Sequence, residues 1–320
     1  MVRIKNLSVG YRGRVVLGNL NLSADECELV ALIGRNGAGK STLMKTIARL
    51  QPVLSGEITI AGKSLKHYSR SELAELLSFV STETVNVSHL TVQQLVSFGR
   101  FPYTNWIGKL TTKDVALVEE AMQLTGISAF GNKNLLEISD GERQRAMIAR
   151  TLAQDTNLIL LDEPTAFLDM PNKYEIVNLL QRLTRTKRKT ILFSTHDLNI
   201  AMLEADKLWL MIDGELYEGS PEDLALNQQL TRMFEGTKLN FDDNKGEFNI
   251  KRNEMKQITV AGEGKTFFWT KKALERMGFE VQKNENEKKS DIIITETSWI
   301  FNRCDKPLKF NSIYELTKNL

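Results

Sequence analysis

A glycine-rich stretch in this sequence has the residue types and spacing that bind phosphate. Residues 34–42 match G-x-x-x-x-G-K-[ST] and read Gly34, Arg35, Asn36, Gly37, Ala38, Gly39, Lys40, Ser41 and Thr42. Glycines allow backbone N–H groups to close around phosphate oxygens without Cβ clashes. Lys40 can reach the β- and γ-phosphates of a nucleotide, and the Ser41 hydroxyl can ligate Mg²⁺. The motif therefore predicts a site for a nucleoside triphosphate with Mg²⁺.

The segments on either side must position this loop. Residues 29–33 form an apolar run that predicts a buried strand, and residues 42–48 have the pattern of a helix. Strand, glycine-rich loop and helix is the context in which phosphate loops occur, and the helix N-terminus adds partial positive charge. The alternative is a glycine-rich turn followed by a chance lysine. It is disfavoured because every fixed position and both flanks are present.

Two adjacent carboxylates follow a second apolar strand. Asp162 and Glu163 come directly after residues 157–161, at the carboxyl end of the predicted strand, where ligands bind in open α/β sheets. Asp162 is placed to hold Mg²⁺, directly or through water, and Glu163 to polarise an attacking water as a general base. Acidic residues end many strands, but beside a phosphate loop this pair predicts nucleotide hydrolysis.

The composition limits the other functions to consider. The chain has 320 residues, of which 42% are hydrophobic, and a net charge of +2. This charge gives no overall electrostatic case for a nucleic-acid partner, and the basic run at 185–189 is expected to be a solvated connection. No apolar run approaches the roughly twenty residues of a membrane span. The first residues predict a strand rather than a signal peptide, so Cys27 and Cys304 are expected to be reduced thiols.

The pattern of predicted elements divides the chain. Strand and helix patterns alternate along residues 1–236, which predicts an α/β domain with parallel strands. Residues 237–250 are polar and are predicted to be a linker. Residues 251–320 have a separate strand and helix pattern, and they predict a small accessory domain with a regulatory or dimerisation role.

A second Gly-Lys-Thr occurs in this accessory domain, at Gly264, Lys265 and Thr266. The first glycine of a complete phosphate loop is missing, because that position is Thr259. No carboxylate-bearing strand like the one before Asp162 follows. A glycine turn at the start of a helix is therefore favoured over a second nucleotide site.

Further motifs resemble those of ATP-binding cassette (ABC) ATPases. Residues 139–145 alone predict only a capped helix start at Ser139, but they resemble the family's signature motif and precede the second carboxylate strand as expected. Asp169 resembles the D-loop aspartate, His196 the switch histidine, and Tyr11 the aromatic residue that stacks on adenine. The resemblance covers roughly residues 1–235 and implies an α/β fold: a P-loop NTPase core of the ABC-ATPase type with a mixed sheet and a helical subdomain. After this core, residues 251–320 are expected to form a small α+β C-terminal domain.

The resemblance also implies ATP hydrolysis at sites shared between two subunits. Two such domains enclose two ATP molecules head to tail, so a homodimer is expected. His196 would bridge the γ-phosphate and Glu163, and Asp169 would signal between the two sites. The residues that one subunit would contribute to the nucleotide of the other are Ser139, Gly141 and Glu142.

Two departures from the family pattern stand out. The signature usually reads serine-glycine-glycine-glutamine, whereas this chain has Asp140 and Glu142. Negative charge near a phosphate site could weaken ATP-driven dimerisation unless the side chains point away. The family also has a glutamine between the two main motifs. Here Thr82 or Glu83 must fill that place, and Glu83 could still ligate Mg²⁺.

An aromatic segment is similar to ATPases of importers for iron-siderophore complexes, haem and vitamin B12. Residues 99–103 contain the Gly-Arg-x-Pro-Tyr pattern of that group. In the family, the helical subdomain has a groove for a coupling helix of the membrane subunit. The aromatic residues could anchor that helix or belong to the local core, and both alternatives stay open; they are Phe98, Phe101, Tyr103 and Trp106.

The importer resemblance implies partners and a location. Permease subunits in the membrane would bind the ATPase and, through them, a substrate-binding protein would deliver the cargo. The ATPase would be peripheral, on the cytoplasmic face of the membrane, with no nucleic-acid partner. The alternative is a soluble ABC-type ATPase that acts on a macromolecular complex.

Overall fold

The structure, a computed structural model, describes residues 1–81, 89–104, 108–242, 246–250, 256–302 and 306–320, with the backbone alone at Lys288. The chain divides into two compact units, Met1–Met233 and Phe234–Leu320. The strands and helices of the first unit are β1 (Val2–Tyr11), β2 (Arg14–Ala24), β3 (Leu29–Ile33), α1 (Lys40–Ile47), β4 (Ser55–Ile60), β5 (Lys63–Ser64), α2 (Arg70–Leu76), β6 (Leu77–Val80), α3 (Val92–Ser97), α4 (Thr112–Leu124), α5 (Asp140–Ala153), β7 (Leu158–Leu161), α6 (Met170–Thr186), β8 (Thr190–Thr195), α7 (Leu198–Glu204), β9 (Lys207–Ile212), β10 (Glu215–Gly219), α8 (Pro221–Leu226) and α9 (Gln229–Arg232).

The main sheet of the first unit is mixed and has the strand order β10-β9-β3-β8-β7-β6. The strands from β9 to β6 run parallel, and β10 returns antiparallel to β9. Helices α1, α6 and α7 contact these strands and a second sheet shares their hydrophobic cluster, which explains why β3, β7 and β8 are buried and why β3 and β7 are apolar throughout. The predicted α/β core with a mixed sheet is confirmed. The phosphate loop follows β3, so it lies at the carboxyl edge of the sheet.

A second, antiparallel sheet has the order β2-β1-β4-β5. Its inner face and the main sheet share one hydrophobic cluster, in which Leu7 of β1, Leu32 of β3 and Leu43 of α1 are buried. Burial of this apolar surface is the main stabilising contribution that holds the two sheets together. The sheet also brings Tyr11, the last residue of β1, beside the phosphate loop.

Helices α3, α4 and α5 pack together around a 3₁₀ turn at Phe98–Tyr103. Gly99 is required in this turn, because a Cβ there would lie 2.2 Å from the carbonyl oxygen of Arg150 on α5. Arg100 is buried, and its guanidinium donates to Asp114 Oδ1 at 2.8 Å and to the carbonyl oxygen of Ala153 at 2.8 Å. The Gly-Arg-x-Pro-Tyr pattern is therefore anchored to α4 and α5 by its first two residues.

The second unit contains β11 (Leu239–Asp242), β12 (Glu247–Ile250), β13 (Lys256–Ala261), α10 (Gly264–Arg276), β14 (Phe279–Lys283), β15 (Ile292–Ile294), β16 (Trp299–Phe301), β17 (Leu308–Phe310) and α11 (Ile313–Lys318). Its main sheet has the order β14-β13-β15-β16-β17, with β13 parallel to both of its neighbours. Leu274 of α10 and Leu316 of α11 pack on the apolar residues of this sheet. The small α+β C-terminal domain expected from the sequence is confirmed.

The segment predicted as a linker, 237–250, contains structure that its polar composition did not indicate. Strands β11 and β12 pair as an antiparallel hairpin. Phe241 is buried, and its ring centroid lies 5.0 Å from that of Phe248, which also contacts Phe234 at 5.2 Å. Phe241 and Phe248 of this polar stretch thus build a small hydrophobic cluster with the preceding Phe234, and strand pairing brings the rings together. Strand β17 was likewise not predicted.

Candidate functional site

The phosphate loop leaves β3 and enters α1 through glycines in the left-handed region. Gly37 has a φ of 80° and Gly39, the N-cap of α1, a φ of 106°, which a residue with a Cβ rarely adopts. A Cβ on Gly39 would also lie 2.9 Å from Val16 Cγ1. Because the N-cap has no side chain, the first N–H groups of α1 remain available to an anion.

Lys40, the first residue of α1, lies folded back beneath the loop. Its side chain is buried, and Nζ donates to the carbonyl oxygens of Gly34 at 2.9 Å and Arg35 at 3.4 Å. Nζ also lies 3.5 Å from Glu163 Oε1. The loop thus holds a buried cation between its own carbonyl groups and the carboxylate that the sequence assigns to catalysis.

Asp162 and Glu163 follow β7, and Ser194 near the end of the neighbouring β8 joins them. The Ser194 hydroxyl donates to Asp162 Oδ1 at 2.7 Å and accepts the backbone N–H of Glu163 at 2.8 Å. Asp162 is buried, and its Oδ2 has no hydrogen-bond partner among the described residues. A buried carboxylate oxygen without a donor is suited to a bound cation.

Glu163 has a left-handed backbone conformation, with a φ of 48°, directly after the strand. Its two carboxylate oxygens face different partners: Oε1 faces Lys40, and Oε2 lies 3.7 Å from His196 Nδ1. His196 follows β8 and is about half exposed. Parallel pairing of β7 with β8, in which Leu161 lies opposite Phe193, brings these distant residues to one edge of the sheet.

A cavity of about 540 Å³ opens over the loop. Tyr11 lies at its side, and its hydroxyl accepts a hydrogen bond of 3.0 Å from Thr42 Oγ1. The loop residues in its wall are the predicted Asn36, Gly37, Gly39, Lys40, Ser41 and Thr42. Glu163 also lines it, together with residues that were not predicted, namely Val16, Ala166 and Phe167.

The signature residues form a second, separate group that does not line this cavity. Ser139 is the N-cap of α5, and its hydroxyl oxygen accepts the backbone N–H of Glu142 at 3.3 Å. Asp140, in the first turn of α5, accepts a hydrogen bond of 2.9 Å from the Arg143 guanidinium through its Oδ1. The negative charge of Asp140, a concern in the sequence, is therefore paired.

The D-loop residue Asp169 is tied to the signature helix through one amide. Asp169 caps α6, and its Oδ1 accepts from the backbone N–H of Asn172 at 3.2 Å and from Asn172 Nδ2 at 2.6 Å. The same Asn172 side chain lies against Gly141, where a Cβ would approach its Oδ1 to 3.2 Å. The two elements predicted to face a partner subunit are thus held together within one subunit.

Comparison with known proteins identifies the family. The ABC transporter profile matches residues 3–166. This chain belongs to the ABC transporter family. It is an ABC-type ATPase, and residues 255–320 match the profile of the iron ABC transporter C-terminal domain. These matches confirm the resemblance noted in the sequence.

Individual relatives agree with this assignment. The chain is 37% identical to an uncharacterised ABC transporter ATP-binding protein of Methanocaldococcus jannaschii, over 81% of this chain and 90% of the relative. It is 37% identical to the petrobactin import ATP-binding protein of Bacillus anthracis, over 71% of this chain and 84% of the relative. A solved ATP-binding cassette, dimeric and bound to ADP and phosphate, superposes with a TM-score of 0.59. It is 28% identical, and the match covers 69% of this chain and 99% of that cassette.

Four of the residues named from the sequence lie outside the described part of this ATPase: Thr82 and Glu83, the candidates for the glutamine position, Trp106 of the aromatic segment, and Cys304. Ser194 was quoted in the sequence only as part of the segment around His196 and was given no role. Its signal was a polar residue near the end of a buried strand, two residues before His196 in the pattern Ser-Thr-His. Only the pairing of β8 with β7 places that hydroxyl against Asp162.

The aromatic residues of the helical subdomain are exposed. Phe98 is 39% exposed, Phe101 55% and Tyr103 39%, and the rings of Phe98 and Phe101 lie 4.8 Å apart between centroids. The Arg100 guanidinium lies 4.0 Å from the centre of the Tyr103 ring. Of the two alternatives left open by the sequence, the described aromatic residues fit a surface patch better than a local core.

The second Gly-Lys-Thr does not build a phosphate cradle. Gly264, with a φ of 69°, opens α10, and Lys265 is exposed on its first turn. The neighbouring cavity of about 510 Å³ is lined by Lys283 but not by Lys265. Its acidic residues are Glu263, Glu285, Glu287 and Glu296. An acidic cavity disfavours phosphate, so the interpretation as a turn at a helix start stands.

Proposed function

We propose that this ABC ATPase powers the import of an iron chelate, with an iron-siderophore as the leading cargo and haem or a cobalamin-type cargo as the others in the same class. The observation that supports the chemistry is the position of Glu163 between Lys40 and His196 at the mouth of the phosphate loop. The cargo class is supported by the match of residues 255–320 to the iron ABC transporter C-terminal domain. It is also supported by the relative named for petrobactin import.

The residues predicted for the ATP site have distinct parts in this proposal. The loop N–H groups and Lys40 bind the phosphates, and Tyr11 packs against the adenine ring. Glu163 accepts a proton from the attacking water, and His196 orients Glu163 toward the γ-phosphate. Glu163 Oε1 lies 3.5 Å from Lys40 Nζ, and this contact fixes the position of the carboxylate at the mouth of the loop.

Mg²⁺ fits the residues that face the loop. Asp162 Oδ2, buried without a partner among the described residues, and the Ser41 hydroxyl are the oxygen ligands that Mg²⁺ prefers. The bound ion would neutralise charge on the β- and γ-phosphates. Ser194 holds the other oxygen of Asp162 and so orients the carboxylate toward the ion.

The signature residues act on a second copy of the chain. Ser139, Gly141 and Glu142 lie away from the cavity of their own subunit, at the N-terminus of α5, where N–H groups and the helix dipole favour an anion. In a head-to-tail homodimer Ser139 and Gly141 complete the partner's ATP site, with Glu142 next to them, and Asp169 lies beside them through Asn172. The related cassette solved with ADP and phosphate is a dimer.

Membrane permease subunits are the proposed partners, and through them a substrate-binding protein. The exposed ring pair of Phe98 and Phe101 is an apolar anchor of the kind that interfaces use. Within the described residues, no helix has the length and apolar character that crossing a bilayer requires. With permease subunits as partners, the proposal places the ATPase as a peripheral subunit on the cytoplasmic face. The macromolecular ATPase considered from the sequence is not favoured.

Co-purification from membranes tests the importer assignment. The tagged full chain, isolated with its own membrane, should retain permease subunits that mass spectrometry identifies. Phe98→Ala with Phe101→Ala should lower their recovery, whereas Phe268→Ala with Trp269→Ala, an exposed aromatic pair on α10, should not. A chain that retains ribosomal or other soluble complexes, and no membrane protein, would contradict the assignment.

Mixed dimers test the composite site. Subunits with Glu163→Gln and subunits with Ser139→Arg are each expected to be inactive alone. A mixture holds one site with intact residues from both chains, so partial ATPase activity should return unless the two sites work only together. Activity linear in protein concentration, with a monomer by sedimentation in ATP, would exclude a shared site.

A further inference from the structure

Glu142 occupies both hydrogen-bond donors of Ser139. The carboxylate oxygen Oε2 accepts the Ser139 backbone N–H at 2.7 Å and the Ser139 hydroxyl at 2.9 Å. In return, the serine oxygen accepts the Glu142 N–H, which completes a capping box at the start of α5. The hydroxyl that the composite site needs as a donor to phosphate is therefore already bonded to an anion.

The charge of Glu142 is not needed for this cap. A capping box requires an acceptor at the third helical position, and glutamine serves there as well as glutamate. Among the described residues Glu142 forms no ion pair, in contrast to Asp140, whose carboxylate is paired with Arg143. Glu142 thus places a negative charge with no ion-pair partner among the described residues at the N-terminus of α5, where an incoming phosphate would bind.

We infer that Glu142 opposes the ATP-driven assembly of two subunits by competing with the γ-phosphate for Ser139. The inference rests on the proposed function, in which Ser139 binds the ATP of a second copy of this chain. Two effects act in the same direction. The Ser139 hydroxyl must leave Glu142 before it donates to the phosphate, and the carboxylate repels the phosphate across a short distance. The partial positive charge at the N-terminus of α5 must overcome both effects, so the dimer forms only at a higher concentration of ATP-bound subunit.

The competition by Glu142 sets a threshold concentration of ATP-bound subunit, below which the dimer does not form. A subunit held beside a second copy by a permease has a high effective concentration of its partner and exceeds the threshold, whereas a free subunit reaches it only at a high protein concentration. Glu142 thereby reduces ATP hydrolysis by subunits that are not assembled with a transporter. It acts through Ser139 and is a positioning residue.

The test uses the full chain in a Glu163→Gln background, in which ATP is bound but not hydrolysed. Sedimentation velocity over a range of protein concentrations, with saturating ATP and Mg²⁺, measures the dissociation constant of the dimer. Glu142→Gln should lower this constant roughly tenfold or more, because each dimer contains the competing pair twice. Asp140→Asn is the matched control, and its effect should stay within about twofold, because that charge is already paired with Arg143.

ADP separates this role from a structural one. Without a γ-phosphate, Glu142→Gln and its parent should dimerise equally weakly in ADP. Their thermal unfolding temperatures should agree, because glutamine keeps the cap. Glu142→Ala, which loses both the charge and the cap, should unfold at a lower temperature than Glu142→Gln.

Each outcome decides the inference. Equal or weaker ATP-dependent dimerisation of Glu142→Gln overturns it, and so does an equal gain in ADP or an equal gain from Asp140→Asn. If no variant, including the Glu163→Gln parent, forms a dimer in ATP at any concentration, the composite site of the proposed function is wrong and this inference falls with it. Dimers of equal strength with and without Glu142 would leave the proposed function intact and reject the inference alone.

Discussion

Ser194 and Asp162 are joined by a hydrogen bond of 2.7 Å between adjacent parallel strands. The same hydroxyl accepts the backbone N–H of Glu163 at 2.8 Å. One serine thus orients the proposed metal ligand and the residue that follows it. The left-handed backbone of Glu163 needs such a partner, because that conformation is strained for a residue with a Cβ.

Removal of this hydroxyl should slow ATP hydrolysis. Ser194→Ala leaves Asp162 Oδ1 without its buried donor, so kcat should fall about tenfold and the Mg²⁺ concentration for half-maximal activity should rise. The matched control is Ser78→Ala, a buried serine of β6 that accepts a hydrogen bond from Thr156 at 3.0 Å. If both variants lose activity equally, the effect comes from the sheet and not from Asp162.

Glu163→Gln should leave ATP binding nearly intact and slow hydrolysis by about two orders of magnitude or more, because glutamine cannot take a proton from water. Nucleotide binding by fluorescence titration and phosphate release under single-turnover conditions measure the two quantities separately. The variant should accumulate in its ATP-bound form. Hydrolysis within a few-fold of the unaltered protein would show that another group acts as the base.

The two lysines that follow glycines should behave differently. Lys40→Ala removes the buried cation beside the phosphates, so ATP binding should weaken and turnover should stop. Lys265→Ala alters an exposed residue of α10 and should change neither. Equilibrium dialysis gives the stoichiometry. Two nucleotides per chain, falling to one in Lys265→Ala, would establish the second site that the structure disfavours.

Truncation tests the division of the chain. Deletion of residues 234–320 removes the second compact unit, and the remaining chain should be soluble and bind ATP. Deletion of residues 247–320 cuts between the paired strands β11 and β12 and leaves Phe241 without its partner Phe248, so this shorter deletion should aggregate more. Loss of ATP binding in the first variant would reject the separation of the two units.

The stability of the helical subdomain should depend on pH in the acid range, because Arg100 and Asp114 form a buried ion pair. Hydrogen bonds from Thr111, and then from the Arg100 guanidinium, lower the pKa of Asp114 to about 2. Since the folded pKa lies below the ordinary 3.8, the charged carboxylate stabilises the fold above that value, and its contribution is lost as the pH falls toward about 2.

Asp114→Asn should therefore lower the free energy of unfolding by about 3 kcal/mol at pH 7, since Arg100 is left buried without its counter-charge. The difference from the unaltered protein should shrink in acid. Denaturant titration followed by circular dichroism measures it. Asp25→Asn, which removes an exposed pair with Arg3, is the control and should cost less than about 1 kcal/mol. A constant difference across this pH range would show that the Asp114 charge is not the cause.

The phosphate loop and the carboxylates could be predicted because their signals are local. Residues 34–42 are contiguous, and the apolar runs before Gly34 and Asp162 each form a buried strand as expected. In a parallel sheet both faces are covered, so such strands are apolar along their whole length and stand out in a sequence. Chain order alone then places both motifs at carboxyl ends of strands.

The strand order, by contrast, was decided by pairing between distant segments. Only the parallel register of β7 with β8 brings Ser194 to Asp162, and only that edge places Glu163 between Lys40 and His196. The pairing of β11 with β12 is stabilised by the contact between the rings of Phe241 and Phe248, which a polar composition concealed. In the sequence, Glu142 is a replacement of the glutamine that the family's signature motif usually has. Its carboxylate holds both donors of Ser139 because the first turn of α5 brings residues three apart onto one face, a local contact that belongs to the capped helix start predicted from the sequence.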